Sequence, residues 1–419
     1  MNTELQYERI VALTQSIFEE PELGYKEFKT AQKVLDFLEQ FEFIEIERFS
    51  TTGIKATLSQ GKPQTVGLIA ELDAVYAPKH FQADVQTGAA HNCGHFSQVG
   101  ALLSLVNLLA NNRELLADLS YNVVAYFVPA EEYLDLAYRQ QLKKDGHIQF
   151  YGGKQEAIRL GAFDELDAAI CIHSISEKCE QNTIEINCDL VGFLYKYYDF
   201  QGKASHAGFD PFGGINAYNM STLFNTAVGL RRQQFKDSEH VRINPVVMHA
   251  EMTPNIIPDS IRVGTDIRTK SVEYMLELSI ILDEMAQGTS QAMGGTVQTQ
   301  TEMGYLPFIQ HRALNDIVHR TYEKSAHVQA IIADRGIIAA AGDVGDLSYL
   351  VPTIQIGYSG FSGTIHGIDF KMENPEFVLR EFPLFMLEVL QELSQDLPTI
   401  SLYKRDKADY LHLMEKFNT

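Results

Sequence analysis

The chain has 419 residues, 45% of them hydrophobic and 21% charged, with a formal net charge of −21 and only four cysteines. That length exceeds one compact unit, since domains run to about 100–150 residues, and so negative a chain repels phosphate backbones and anionic bilayers, so neither nucleic acid nor a membrane is an expected partner. No apolar run approaches the roughly 20 residues of a bilayer span, Met1-Asn2-Thr3-Glu4 lacks the basic and apolar regions of a secretory signal, and Cys93, Cys171, Cys179 and Cys188 do not form a disulfide framework, so the expected compartment is the cytoplasm.

Residues Leu5 to Phe18 place Ile10, Leu13 and Ile17 at helical spacing, and the Pro21-Glu22-Leu23-Gly24 turn separates this helix from a second one over Glu27 to Phe41. Gly53 to Leu58 and Thr65 to Ala70 read as strands, the latter ending at Glu71-Leu72-Asp73. A Gly-punctuated turn, Ala90 to His95, leads into a helix over Val99 to Leu109. Tyr121 to Val128 is a strand closed by Pro129-Ala130-Glu131-Glu132, and Ala168 to Ile172 is another that ends at His173. Three strands thus deliver Asp, Glu or His at their C-terminal edges with helices between them. This alternation predicts a mostly parallel sheet with helices on both faces, in which the strand ends form the site.

From about residue 193 the pattern changes: strands over Phe193–Lys203, Pro245–Met252, Ile261–Thr269 and Thr296–Met303 alternate with helices over Asn216–Phe235 and Val272–Met293. The order β-α-β-β-α-β is that of a ferredoxin-like unit, here inserted. The expected organisation is therefore a catalytic domain split between 1–192 and 304–419, with an inserted domain at 193–303. The second part holds a helix near Leu314–Ala326, strands near Ala330 and Val351–Ile356, a long helix over Pro375–Leu393, and a helical tail from Ser401 to Thr419.

Cys93 and His95 are natural ligands for a borderline-soft divalent ion, and a helix N-terminus behind them favours the thiolate. Asp73, Glu131, Glu132, His173 and His366, the last in the Gly-flanked loop Gly363–Gly367, complete a donor set large enough for two ions. Adjacent carboxylates such as Glu131 and Glu132 can divide the work, one binding metal and its neighbour taking a proton from water.

Taken in order, Pro21-Glu22-Leu23-Gly24, Glu71-Leu72-Asp73-Ala74, His91-Asn92-Cys93-Gly94-His95, Pro129-Ala130-Glu131-Glu132, Ser205-His206-Ala207 and Asp343-Val344-Gly345-Asp346 resemble the aminoacylase and carboxypeptidase-G superfamily of dinuclear metallopeptidases and amidohydrolases, in particular its p-aminobenzoyl-glutamate hydrolase-like branch. The resemblance implies metal ligands at Cys93, His95, Glu132, His173 and His366, for zinc or manganese, with Glu131 as general base and Asp73 orienting the site. It implies that the inserted domain is a lid and dimerisation domain, that His206 reaches the reacting carbonyl, and that Asn255 and Arg268 bind a substrate carboxylate. The implied reaction is hydrolysis of an N-acyl amino acid, an aminobenzoyl-glutamate-like compound or a dipeptide by a homodimer.

Three departures from the branch stand out: Phe96 follows His95 where Asp or Asn is usual, a long charged stretch to Lys154 replaces a short Gly-rich run after Glu132, and Ser174-Ile175-Ser176 follows His173 in place of a Pro-containing segment. Two other readings remain open on the residues alone, a non-catalytic metabolite-binding relative of the same fold and a thiol enzyme with Cys93 as nucleophile.

Overall fold

The computed structural model describes residues 3–175, 177–250 and 253–417. The chain divides into two compact units: one takes the chain up to Asp189 with Ile309–Ile337 and Asp346–Lys407, the other Leu190–Phe308 with Ile338–Gly345 and the residues from Ala408. The segment 193–303 lies inside the second unit.

Eight strands form the sheet of the first unit, in the order Glu45–Phe49, Gly53–Thr57, Asn122–Val128, Thr65–Glu71, Ala168–Ser174, Thr353–Tyr358, Thr183–Glu185 and Ala330–Ile332. The four middle strands run parallel. They are runs of Val, Ile, Ala and Leu buried almost throughout, as strands covered on both faces must be. Glu45–Phe49 and Gly53–Thr57 pair antiparallel with each other, and the latter with Asn122–Val128, at one edge. In register, Glu71 lies level with Val128, and His173 level with Gly357. The C-terminal ends of neighbouring strands therefore open at one height.

The helix His95–Asn111 is buried along nearly its whole length because its sequence is apolar on every face. It packs against the sheet and against the helices Thr3–Glu19 and Phe382–Asp396. Gly100 permits the close approach to the first of these, since a Cβ there would collide with Thr14 Oγ1. The helix starts four residues before Val99, because Gly94 at φ 100° ends the turn and Ser97 Oγ donates to the Gly94 carbonyl at 2.6 Å. The Ala168 strand continues through His173 to Ser174, carried on by pairing with Thr353–Tyr358.

Two helices, Leu136–Lys144 and Gly153–Leu160, occupy the stretch after Glu132 that carries no apolar periodicity. The first buries only Arg139, so its sequence has no hydrophobic stripe to betray it.

In the second unit the strands stand in the order Arg242–His249, Ser260–Thr269, Gly192–Gln201 and Thr296–Tyr305, all antiparallel. This is the expected ferredoxin-like arrangement. Alternate residues of Gly192–Gln201 face the helices: Tyr198 and Phe200 pack with tilted rings against Phe224 of Ala217–Arg231, and Lys196 pairs with Asp283 of Val272–Ala292 at 2.7 Å. The expected end of the second strand, at residues 251–252, lies outside the described residues, as do Ser176 and residues 418–419 beyond the terminal helix Lys407–Phe417. Among the described residues no helix is long and apolar enough to cross a membrane.

Candidate metal centre

The Cys93-Gly94-His95 turn meets three strand ends. Gly94 is obligatory there, because its backbone is left-handed and a Cβ would sit 2.5 Å from Ser174 Oγ. Ser174 Oγ in turn donates to the Cys93 carbonyl at 2.7 Å. The support that an Asp or Asn after His95 would supply thus comes from the segment after His173. Phe96 is a core residue, its ring 4.7 Å from that of Phe18.

His95 lies fully buried, its Nδ1 2.9 Å from the Asp73 carbonyl and 3.3 Å from Asp73 Oδ1. Nδ1–H therefore donates to Asp73 and Nε2 is turned to the cluster. Nε2 makes no hydrogen bond among the described residues, although Glu71 Oε2 stands 3.1 Å away. His173 is set the same way: Nδ1 donates to the Ser174 carbonyl at 2.8 Å, leaving Nε2 3.6 Å from Cys93 Sγ. On the other side of the thiol, His366 Nε2 lies 3.2 Å from Glu132 Oε1. His366 sits at φ 63°, in a loop clasped by Asn92, whose carbonyl accepts the His366 amide at 2.7 Å and whose side chain donates to Gly367 O at 3.0 Å.

Among the described residues, three groups of ligand atoms lie within 4.8 Å of one another: Cys93/His95/His173, Cys93/Glu132/His366 and Glu71/His95/Glu131. The first two share Cys93. Nitrogen, sulfur and carboxylate oxygen in two such sets, with a buried imidazole nitrogen that has no hydrogen bond, are the donors a pair of divalent ions requires. Seven expected residues therefore meet in one unit: Asp73, Cys93, His95, Glu131, Glu132, His173 and His366. Glu71, which ends the strand two residues before Asp73, joins them and was not singled out by spacing. Its carboxylate is held by Lys154 at 2.5 Å, from the same post-Glu132 stretch. His91, the other imidazole of the turn, instead packs beside Phe96, and burial pushes it down to about 3.

The electrostatics fit a cation site. Burial and the Glu132 charge push the Cys93 thiol up, but the His95 and His173 charges outweigh them and hold it at about 6. Burial would likewise raise Glu132 and Glu71, and is outweighed by His366 and by Lys154 respectively, so that both carboxyls fall to about 2. Hydrogen bonds that the His366 ring donates to Cys93 and Glu132 lift it to about 11. Burial opposes protonation of His95 and His173, yet the Cys93 charge raises both. Protons on imidazoles thus balance the thiolate and carboxylates, and binding metal exchanges that charge for its own.

His206, Asn255 and Arg268 belong to the second unit. Ser205–His206 pairs with Ile256–Ile257, and the Ala207 amide donates to the Asn255 carbonyl at 2.9 Å, so these two segments adjoin. His206 Nδ1 accepts the Gly208 and Phe209 amides at 3.2 and 3.0 Å, which places the proton of the neutral ring on Nε2. Arg268 is already engaged: Nε with Asp266 Oδ2 at 2.9 Å and Nη1 with the Ala339 carbonyl at 2.6 Å.

A family model described as peptidase family M20/M25/M40 matches residues 67–382. The chain is 26% identical over 366 residues to the Xaa-Arg dipeptidase of Mus musculus, covering 83% of this chain and 76% of that protein. To a p-aminobenzoyl-glutamate hydrolase subunit of Escherichia coli (strain K12) it is 21% identical over 333 residues, 76% of this chain and 62% of the relative. The Bacillus subtilis YXEP protein, described as a dinuclear metal-binding peptidase of the M20 family, shares the fold with a TM-score of 0.74 and 17% identity, over 95% of this chain and all of its own.

Proposed function

Because the chain belongs to peptidase family M20/M25/M40, we propose that it hydrolyses an amide bond next to a carboxylate in a small N-acyl amino acid, an aminobenzoyl-glutamate-like compound or a dipeptide. The observation that carries this reading is the pair of ligand groups sharing Cys93, with Glu131 beside them. Cys93, His95 and His173 would hold one divalent ion, and Cys93, Glu132 and His366 the other. Zinc and manganese both suit this mixture. Bound there, the ions supply Lewis acidity toward the amide carbonyl and toward the attacking water.

The chain's own groups do the proton chemistry. Glu131, its Oε2 3.9 Å from His95 Nε2, is the base that takes the proton of the attacking water and returns it to the leaving amine. Asp73 accepts the Glu131 amide at 3.1 Å through Oδ1 and the Glu132 amide at 3.0 Å through Oδ2, so one carboxylate sets both glutamates and His95. His206, with its Nε2–H, is the donor for the oxyanion. Asn255 and Arg268 read the substrate carboxylate, Arg268 by sharing its guanidinium with Asp266.

The second unit supports a homodimer. Its strand Arg242–His249, at the edge of the sheet, leaves Val246, Val247 and Met248 43–58% exposed, a surface that a second copy would cover. None of Cys93, Cys171, Cys179 and Cys188 forms a disulfide, consistent with a reducing compartment such as the cytoplasm.

The test is bound metal per chain, measured on protein purified without chelator, with an assay against N-acyl amino acids and dipeptides. Close to two ions per chain, fewer in Glu132→Ala, and turnover of a panel member are expected. No metal uptake from zinc or manganese overturns the reading and leaves a non-catalytic binding protein.

A further inference from the structure

We infer that Arg139, carried by the 133–152 stretch, is a positioning residue that aims Glu131 and Glu132 by holding the backbone on which they sit. The inference rests on the roles proposed above for those two glutamates.

The peptide Ala130–Glu132 is clamped from several sides. Ala130 is forced to φ 56°, a left-handed conformation that a non-glycine residue keeps only where its neighbours impose it. Glu27 Oε1 accepts its amide at 2.8 Å, and the Gly153 amide donates to its carbonyl at 3.1 Å. Asp73 takes the next two amides. What closes the far end is Arg139: Nη2 donates to the Glu132 carbonyl at 2.5 Å, beside the Leu134 amide at 2.8 Å, while Nη1 donates to the Tyr151 carbonyl at 2.7 Å and approaches the Ala130 carbonyl at 3.5 Å.

Arg139 is 1% exposed, and a charged side chain is almost never so buried without a strong reason. Its guanidinium carbon lies 5.5 Å from the centre of the Tyr25 ring. Gly24 leaves it the room, for a Cβ there would collide with Nη2 and stand 2.9 Å from Ala130 Cα. The Pro21–Gly24 turn and the charged stretch after Glu132 are thus two halves of one brace. The fork of the guanidinium matters, because one side chain must reach carbonyls from both ends of the segment; a point-charge ammonium reaches fewer.

The experiment compares Arg139→Ala with the parent and with Lys26→Ala, which removes the 2.6 Å ion pair to Asp135 at the start of the same helix without touching the braced carbonyls. In the brace, Arg139→Ala lowers kcat about ten- to hundredfold with KM within about threefold, as a misaimed catalytic group does. Millimolar guanidinium restores part of the loss, and the visible spectrum of the Co2+-loaded protein shifts because Glu132 is no longer aimed. Lys26→Ala keeps parental kcat and spectrum. If both variants lose kcat in step with their melting temperatures, Arg139 is merely structural and the inference falls. Where Arg139→Ala does not fold, Arg139→Gln is read against the same expectations. Hydrogen exchange over residues 129–134 in the metal-free protein is measured in parallel: faster exchange in the Arg139 variant supports the brace and unchanged exchange overturns it. Should the parent bind no Co2+ and cleave no amide, the proposed function fails while exchange still decides the brace.

Discussion

Cys93, His95 and Asp73 are at most 6% exposed, His95 and Asp73 bonded to the backbone of another element and the Cys93 carbonyl held by Ser174 Oγ, whereas His206 and Asn255 lie at the surface of the second unit and Arg268 is engaged within its own sheet. The first region is a preassembled charge cluster. Its thiolate, carboxylates and imidazoles are tolerable in the interior only because they face one another, so each depends on the rest. In the second region each residue has a sufficient local reason to be where it is. In the proposed function the difference has a reason: metal ligands must be gathered before an ion arrives, while a substrate reader need only present the right donor.

The sharpest way to break this contrast is at the shared thiol. Cys93→Ala is expected to abolish turnover and reduce bound metal toward zero, because both ligand groups lose a member, while His366→Ala loses only one ion; equal losses in the two variants would mean that Cys93 is not shared. Glu131→Gln should lower kcat by about a thousandfold, the range of general base catalysis, with metal content unchanged. A parallel fall in metal would make Glu131 a ligand.

The second region is tested by activity with intact metal. Removal of an oxyanion donor costs about 10²–10³ in kcat, so His206→Ala is expected in that range with parental metal content. For Arg268→Ala the expectation is a KM rise of about tenfold or more with little change in kcat, as loss of a charge-assisted hydrogen bond gives. An unchanged KM would leave Arg268 as a structural partner of Asp266 and Ala339.

The smallest effect on activity is expected at Glu27. Burial, then the Asp73 charge, raises its carboxyl to about 8. The folded state therefore holds a proton there that the unfolded chain releases near its ordinary value, and stability from this group is full in acid and lost as pH rises toward 8. Denaturant unfolding of the metal-free protein should show that decline, flattened in Glu27→Gln.

Much of this molecule was legible without coordinates. Strand ends carrying Asp73, Glu131 and His173 follow from apolar runs that stop at polar residues, and the switch at 193 from a parallel to a ferredoxin-like pattern follows from periodicity. The helix Leu136–Lys144 was not legible, because it buries a single arginine and so has no stripe. Nor was the role of Glu71, since alternation along a strand does not say which acidic residue faces an imidazole on another element.

The order of chemistry-bearing residues, their types and their places at strand ends and Gly turns are properties of the chain itself, because local sterics and hydrophobic patterning determine them. That Cys93 is common to two ligand groups, that Asp73 sets both glutamates, and that Arg139 and Gly24 meet across more than a hundred residues were decided by tertiary structure alone. Those contacts depend on register between strands and on the few ångströms left by missing side-chain atoms, and neither quantity is written in a linear pattern.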